Sequence, residues 1–252
     1  MTQYVLGLLG SGEFQPWAGD VDLALLGRAR TGDGRALVVP TASAPEGEDV
    51  FNRWADMGLA HYRRLGVTAE LVPLRTRADA EHPQLVGLLA EASLVFFSGG
   101  NPAYLSATLT GTAFWAAVLE GMGRGLAYGG CSAGIQCLGE RALDPAAGTW
   151  GPEAWKPGLG LFGGVWFGPH WDALDRHVPG LSGFILGSVP RGDLLVAIDE
   201  DTAMFGDGSG WEVLGAGSVH LSRDGSWTDR PAGARFTQAL RGAAGEAPEP
   251  ER

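Results

Sequence analysis

Short apolar runs alternate with longer amphipathic stretches through the first half of the chain. Five of these runs are rich in Val, Leu and Phe without a regular exposed face, which predicts strands buried on both sides, as in a parallel sheet. They occupy residues 4–10, 35–43, 68–74, 92–100 and 125–134.

Two stretches between these runs carry apolar residues at helical spacing. Residues 48–66 start with acidic side chains and have arginines near their end, which suits the helix dipole. Residues 101–125 end in glycines, which are typical of a helix C-cap. The alternation of strand and helix predicts a doubly wound α/β fold, with a mostly parallel sheet flanked by helices.

The second half of the chain departs from this alternation. Residues 144–193 are rich in Gly and Pro and contain four tryptophans, Trp150, Trp155, Trp166 and Trp171. Beyond them, residues 193–205 and 211–221 are predicted to be strands, paired antiparallel at a sheet edge. We expect residues 1–241 to form a single α/β domain and the apolar-poor residues 242–252 to form a disordered tail.

Composition and charge narrow the function classes. The 252 residues are 45% hydrophobic and 19% charged, as in a globular protein, and the net charge of -11 disfavours nucleic acid as a partner. No apolar run reaches the length of a membrane span, so no membrane partner is expected. The two cysteines, Cys131 and Cys137, form no disulfide framework, which favours a cytoplasmic location. The oligomeric state stays open, with a homodimer as one option.

The candidate chemistry centres on GGCSAGIQCLG, residues 129–139. A strand followed by a glycine-flanked Ser or Cys and a helix is the arrangement of a nucleophile elbow, whose tight turn demands small residues two positions before and after the nucleophile. Around Ser132 both of these positions are glycine, whereas around Cys131 they are Gly129 and Ala133. The spacing favours Ser132 and leaves Cys131, or a turn without chemistry, as alternatives.

A serine nucleophile needs a base and donors for an oxyanion. The Ala133 amide is one candidate donor, and Gly99 or Gly100 in the turn SGGN is the second, because loops after parallel strands open on the same sheet edge. His170 follows an apolar run and is favoured as the base over His177. The Asp and His residues around them follow no recognised metal-ligand spacing, so no metal is predicted.

Together these motifs resemble the serine peptidases that include dipeptidase E and cyanophycinase. The similarity spans most of the chain and rests on five segments: FFSGGNPAYL, YGGCSAGIQCLG, PGLGLFGGVWFGPHW, AIDEDTAMF and WEVLGAGSVHL. It implies a class I glutamine amidotransferase-like fold, with Ser132 as nucleophile and His170 as base. It also implies an oxyanion hole from the amides of Ala133 and the Gly99–Gly100 turn, and no cofactor.

Two positions depart from the family pattern. The family places an acid between the nucleophile and the histidine, and Asp144 and Glu153 are competing candidates for this third member, while Glu140 is better explained as a solvated residue. Acid-preferring members carry arginines after the histidine, but here only Arg176 stands near. Strict acidic preference is therefore not expected. The candidate substrate pocket comprises Asn101, Trp150, Trp171 and Arg176.

The sequence thus predicts a serine peptidase that acts on short peptides. Three alternatives stay open: a cyanophycinase-like peptidase, an amidotransferase-like enzyme that uses Cys131, and a binding protein that keeps the fold without catalysis. The segment HWD at 170–172, which resembles an H-x-E pairing, motivates the second of these.

Overall fold

The computed structural model describes residues 4–240. Its strands are β1 (Leu6–Leu9), β2 (Arg35–Val39), β3 (Ala69–Leu71), β4 (Ala92–Phe97), β5 (Ala127–Cys131), β6 (Arg141–Leu143), β7 (Trp155–Pro157), β8 (Val165–Gly168), β9 (Leu194–Ile198), β10 (Thr202–Gly206), β11 (Gly210–Gly215), β12 (Ser218–Arg223), β13 (Ser226–Pro231) and β14 (Arg235–Thr237). Its helices are α1 (Ala18–Arg28), α2 (Glu48–Arg64), α3 (Pro83–Gly87), α4 (Pro102–Leu109), α5 (Ala113–Arg124), α6 (Ala133–Gln136), α7 (Leu174–His177) and α8 (Leu181–Ser188). Short 3₁₀ turns lie at Thr41–Glu46, Asp79–Glu81, Leu88–Ala90, Pro145–Ala147 and Pro152–Ala154.

The main sheet has the order β14-β11-β10-β1-β5-β4-β2-β3. Strands β1, β5, β4, β2 and β3 run parallel, while β10, β11 and β14 join them antiparallel. A second sheet has the order β13-β12-β9-β8, in which β8 and β9 are parallel. The predicted α/β class, with a mostly parallel sheet and antiparallel strands near the C-terminus, is confirmed.

Both faces of the main sheet are covered, as the uninterrupted apolar runs predict. Leu94 and Phe96 of β4 pack in one cluster with residues of α1 and α2. The alternate residues Val95 and Phe97 pack on the other face with residues of α4 and α5. All four side chains are fully buried, and each contributes about 1.5–3 kcal/mol through removal from water.

The helix predicted over 101–125 is two helices. Helix α4 ends at Leu109, and α5 begins only at Ala113. Between them Gly111 has a φ of +69°, and the Thr112 side chain accepts a hydrogen bond from the Trp115 amide. A glycine in the left-handed region followed by a threonine N-cap ends one helix and starts the next.

The two late strands each divide as well. Residues 193–205 form β9 and β10 with a turn between them, and Asp201 in that turn has a φ of +49°. Residues 211–221 form β11 and β12, separated by a turn at Gly215, whose φ is +99°. The predicted antiparallel pairing is present, but β10 pairs with β11 in the main sheet and β9 with β12 in the second sheet.

The tail predicted over 242–252 lies outside the described residues. Across 4–240, the helices are too short or too polar for any of them to cross a bilayer.

Candidate active site

Ser132 stands at the apex of a strained turn between β5 and α6. Its φ is +50° and its ψ is -105°, a conformation that non-glycine residues rarely adopt. A Cβ on Gly130 would lie 2.5 Å from the carbonyl oxygen of Gly134, and a Cβ on Gly134 would lie 2.2 Å from that of Phe97. The two glycines are therefore required by close backbone contacts, and the turn has the geometry of a nucleophile elbow.

His170 lies just after β8, with its ring against the serine. Its Nε2 is 3.0 Å from Ser132 Oγ, and the imidazole is partly exposed. His170 also has a positive φ, of 56°. The next amide, that of Trp171, donates to the carbonyl oxygen of Ile198 at 3.0 Å, which ties this turn to the end of the neighbouring strand β9.

Glu200 completes the arrangement from the turn between β9 and β10. Its Oε1 lies 2.9 Å from His170 Nδ1. The Glu200 amide donates to Asp172 Oδ1 at 2.8 Å, and the Thr202 hydroxyl donates to the Glu200 carbonyl oxygen at 2.9 Å. These contacts hold the turn so that the carboxylate faces the imidazole.

The prediction that Asp144 or Glu153 stands behind His170 is therefore corrected. Asp144 Oδ1 accepts from the Asn101 side chain at 3.0 Å and from the Ala146 amide. Glu153 Oε1 accepts from the Thr149 hydroxyl at 2.6 Å, which lowers the pKa of that carboxyl. Asp144 caps the turn after β6 and Glu153 is bound by Thr149 in the segment before β7, whereas the parallel pairing of β8 with β9 brings the distant Glu200 to the imidazole.

A sequence signal for Glu200 exists. Three consecutive acidic residues, 199–201, interrupt an otherwise apolar run, and such an interruption is typical of a turn rather than of a strand interior. A turn at this point presents one acid at the edge of the sheet.

One of the three predicted oxyanion donors, the Gly99 amide, is not available. The Gly99 amide donates to Glu13 Oε1 at 2.8 Å, so it is already used. Within residues 4–240 the amides of Gly100 and Ala133 have no hydrogen-bond acceptor. Gly100 has a φ of +138°, and a Cβ there would lie 2.4 Å from the Ala42 carbonyl group. The available pair of donors is therefore Gly100 and Ala133.

Cys131, the alternative nucleophile, is fully buried. Its Sγ donates to Glu13 Oε2 at 2.8 Å. Burial and the adjacent Glu13 carboxylate raise the pKa of the Cys131 thiol well above its usual value. The thiolate that a cysteine nucleophile requires is therefore disfavoured.

Two of the predicted pocket residues line one cavity. Trp171 and Arg176 border a space of about 410 Å³ together with Asp172, Asp175, Ser182, Asp199 and His220. Arg176 Nη2 lies 3.6 Å from Asp172 Oδ2 and 4.0 Å from Glu200 Oε2. The cavity thus adjoins the Glu200 side of the site.

The other two predicted pocket residues, Asn101 and Trp150, contact other parts of the protein. The Asn101 side chain accepts from the Tyr104 amide at 2.9 Å and caps α4. Trp150 packs against Phe184 with a centroid distance of 6.0 Å and stays 39% exposed. Neither residue borders the cavity beside Glu200.

Comparisons with known proteins identify the family of this chain. Residues 6–213 match the model of peptidase family S51. A cyanophycinase from Synechococcus elongatus is 31% identical over 201 residues, which cover 76% of this chain and 60% of that protein. A cyanophycinase from Nostoc sp. is 25% identical over 230 residues, covering 87% and 74%. The chain thus spans about 60% of the length of the Synechococcus relative.

Two solved structures have a similar fold. A peptidase from an acI-B1 Actinobacterium superposes with a TM-score of 0.85 at 29% identity, covering 94% of this chain and 97% of that one. A putative Peptidase E protein from Listeria monocytogenes EGD-e gives a TM-score of 0.58 at 19% identity, covering 88% and 98%, and shows the fold alone. The resemblance drawn from the motifs is confirmed.

Proposed function

Since the chain belongs to peptidase family S51, we propose that it is a serine peptidase that hydrolyses short peptides. One observation carries the proposal: hydrogen bonds run from Ser132 Oγ to His170 at 3.0 Å and from His170 to Glu200 at 2.9 Å. A nucleophile, a base and an orienting acid joined in this order form the arrangement that activates serine for acyl transfer.

The first step is attack of Ser132 Oγ on the peptide carbonyl carbon. His170 Nε2 takes the hydroxyl proton as the C–O bond forms. Glu200 accepts the Nδ1–H hydrogen bond, which holds the ring in the tautomer that leaves Nε2 free and stabilises the imidazolium that results. The negative charge that develops on the carbonyl oxygen is met by the amides of Gly100 and Ala133.

The second step breaks the peptide bond. The imidazolium of His170 returns its proton to the leaving amine, and the acyl group stays on Ser132. Water then attacks the ester, with His170 again as the base, and releases the second product. The same three side chains thus serve both halves of the reaction.

The substrates are short peptides without a strict acidic preference. Arg176 is the only arginine within residues 170–190, and it already faces the carboxylates of Asp172 and Glu200. Because two carboxylates already offset the charge of this single guanidinium, it contributes little binding energy that would favour a substrate with an acidic side chain. Trp171 offers apolar contact in the same cavity, whose other lining residues are polar or charged.

Cyanophycin is a second candidate substrate. The observation in its favour is the similarity to the Synechococcus and Nostoc proteins named cyanophycinase. Release of β-Asp-Arg from the polymer, measured beside the peptide panel, separates the two candidates.

A cytoplasmic location and peptide partners complete the proposal. Cys131 and Cys137 are both free and buried, which suits a reducing compartment. The net charge of -11 disfavours nucleic acid as a further partner.

The test is hydrolysis of a panel of short peptides, read by mass spectrometry. We expect Ser132→Ala and His170→Ala to lower kcat/KM at least about a thousandfold. The exposed Ser226 and His82 provide matched controls, and Ser226→Ala and His82→Ala should keep wild-type activity. Undiminished hydrolysis by folded Ser132→Ala would refute the mechanism.

A further inference from the structure

Glu13 is a buried acid that the mechanism above does not use. It lies in the loop after β1 and is only 5% exposed. Oε1 accepts from the Gly99 amide and Oε2 from the Cys131 thiol, both at 2.8 Å. Neither of these partners is cationic. A buried carboxylate is costly unless it is well hydrogen-bonded, so its presence at this place needs a reason.

The sheet topology explains how Glu13 reaches both partners. Strands β1 and β4 are the two parallel neighbours of β5. The loop after β1 therefore passes across the end of β5, beside Cys131, to the turn that follows β4. Glu13 thus connects the loop after β1 with the end of β5 and with the turn after β4, at the edge of the sheet that carries Ser132.

The Gly99–Gly100 turn is held at its two ends. On one side the Gly99 amide is bound by Glu13, and on the other the Asn101 amide donates to the Ala42 carbonyl oxygen at 2.8 Å. The Gly100 amide between them is without an acceptor in the described chain. The turn also lies next to the nucleophile, because a Cβ added to Gly99 would lie 3.5 Å from Ser132 Cβ.

We propose that Glu13 is a positioning residue for the oxyanion hole. Its hydrogen bond to the Gly99 amide fixes the plane of the peptide before Gly99 and so directs the next N–H, that of Gly100, toward the carbonyl oxygen at Ser132. Cys131 holds the second carboxylate oxygen and sets the rotation of the group. Glu13 touches no substrate atom, and the inference rests on the proposed peptidase function.

The proposed role requires an oxygen that accepts a hydrogen bond from the Gly99 amide at the distance that a glutamate side chain spans. It does not require the negative charge. Glu13→Gln keeps the length and presents Oε1 to Gly99, because its amide nitrogen, a donor, cannot face another N–H. Glu13→Asp keeps the charge but is one methylene shorter. Glu13→Met keeps the length and has no acceptor comparable to a carboxylate oxygen. If the charge of Glu13 is what matters, Glu13→Asp should be more active than Glu13→Gln. If the length of the side chain is what matters, Glu13→Gln should be the more active variant.

The experiment measures kcat, KM and Tm for these variants on one short peptide. Loss of one oxyanion donor lowers kcat about 100- to 1000-fold, so a displaced donor should lower kcat about 10- to 100-fold in Glu13→Asp and Glu13→Met, with little change in KM. Glu13→Gln should keep kcat within about threefold. Asp22, another buried acid, bonded to His61 and Tyr62, is the matched control: Asp22→Asn should lower Tm and leave kcat unchanged.

Two results would overturn the role of Glu13. One is full kcat in a folded Glu13→Asp or Glu13→Met variant, and the other is a Glu13→Gln variant as impaired as Glu13→Asp. If these variants keep kcat while Ser132→Ala is inactive, the peptidase function stands and only the positioning role fails. Hydrolysis that does not depend on Ser132 would instead refute the function itself.

Discussion

Glu200 Oε1 lies 2.9 Å from His170 Nδ1, although the two residues are 30 positions apart in the chain. Each residue follows a strand of the second sheet, and the two strands, β8 and β9, are parallel neighbours. Parallel neighbours end on the same side, so the turns that follow them meet. The orienting acid of the proposed triad thus comes from the turn after β9 rather than from the segment between Ser132 and His170.

Replacing Glu200 tests this relationship directly. Glu200→Gln removes the negative charge that stabilises the imidazolium, and we expect kcat/KM to fall about a thousandfold or more. Asp144→Asn and Glu153→Gln are the controls, because these two acids are hydrogen-bonded to Asn101 and Thr149 and not to His170. They should change kcat/KM less than about tenfold. A Glu153→Gln or Asp144→Asn variant as inactive as Glu200→Gln would contradict the assignment.

The two thiols should be inert in the folded protein. Burial, together with the Glu13 carboxylate, raises the pKa of Cys131 well above its ordinary value, and burial raises the pKa of Cys137 to about 12. Thiolate is therefore scarce at mildly alkaline pH, and iodoacetamide should modify neither residue until the protein unfolds. Mass spectrometry measures the labelling, and the treated enzyme is assayed beside an untreated sample. Rapid alkylation of Cys131 with loss of activity would support the amidotransferase-like alternative.

His220 should stabilise the fold in a pH-dependent way. Burial lowers the pKa of His220, but hydrogen bonds to Asp229 and Asp199 outweigh burial and raise the net pKa above its usual value. A raised folded-state pKa gives stability that is fully present below the unfolded value of about 6.5 and is lost as the pH rises through the folded value.

We therefore expect His220→Gln to lower the free energy of unfolding more at about pH 6 than at about pH 9. Urea unfolding at the two pH values measures the difference. Asp229→Asn should lower the pKa of His220, followed by NMR titration. An equal loss of stability at both pH values would show that the imidazole charge contributes nothing.

Glycine-to-alanine substitutions should distinguish a glycine that is required by a close backbone contact from a glycine whose position has room for a Cβ. A Cβ on Gly134 would lie 2.2 Å from the Phe97 carbonyl oxygen, and this backbone contact cannot move easily. We expect Gly134→Ala to lower the free energy of unfolding by about 2 kcal/mol or more and to displace Ser132. Urea unfolding and fluorophosphonate labelling of Ser132 measure the two effects.

Gly27 in α1 is the matched control. A Cβ there meets nothing within 4 Å, and the residue is helical. Gly27→Ala should raise the free energy of unfolding by about 0.5–1 kcal/mol and leave the labelling unchanged. Equal effects at the two glycines would contradict the interpretation that the turn at Ser132 requires glycine at position 134.

The sequence by itself determined the features that depend on local spacing. Buried strands follow from unbroken apolar runs, and the elbow follows from the glycines on either side of Ser132. The candidate base, His170, was indicated by its place after an apolar run. Each of these signals lies within a dozen residues, where chain geometry alone limits the conformations.

Only the tertiary structure decided which distant groups meet. Glu200 reaches His170 because β9 pairs with β8 and then turns, and the residue lay inside a segment whose apolar content predicted one continuous strand. The Gly99 amide is bound by Glu13, 86 positions away, which leaves Gly100 as the free donor. Such contacts depend on strand order and on the burial of single polar groups, and neither has a periodic signature in the chain. The sequence thus indicated the candidate nucleophile and the candidate base, whereas tertiary packing determined which acid and which backbone amide lie beside them.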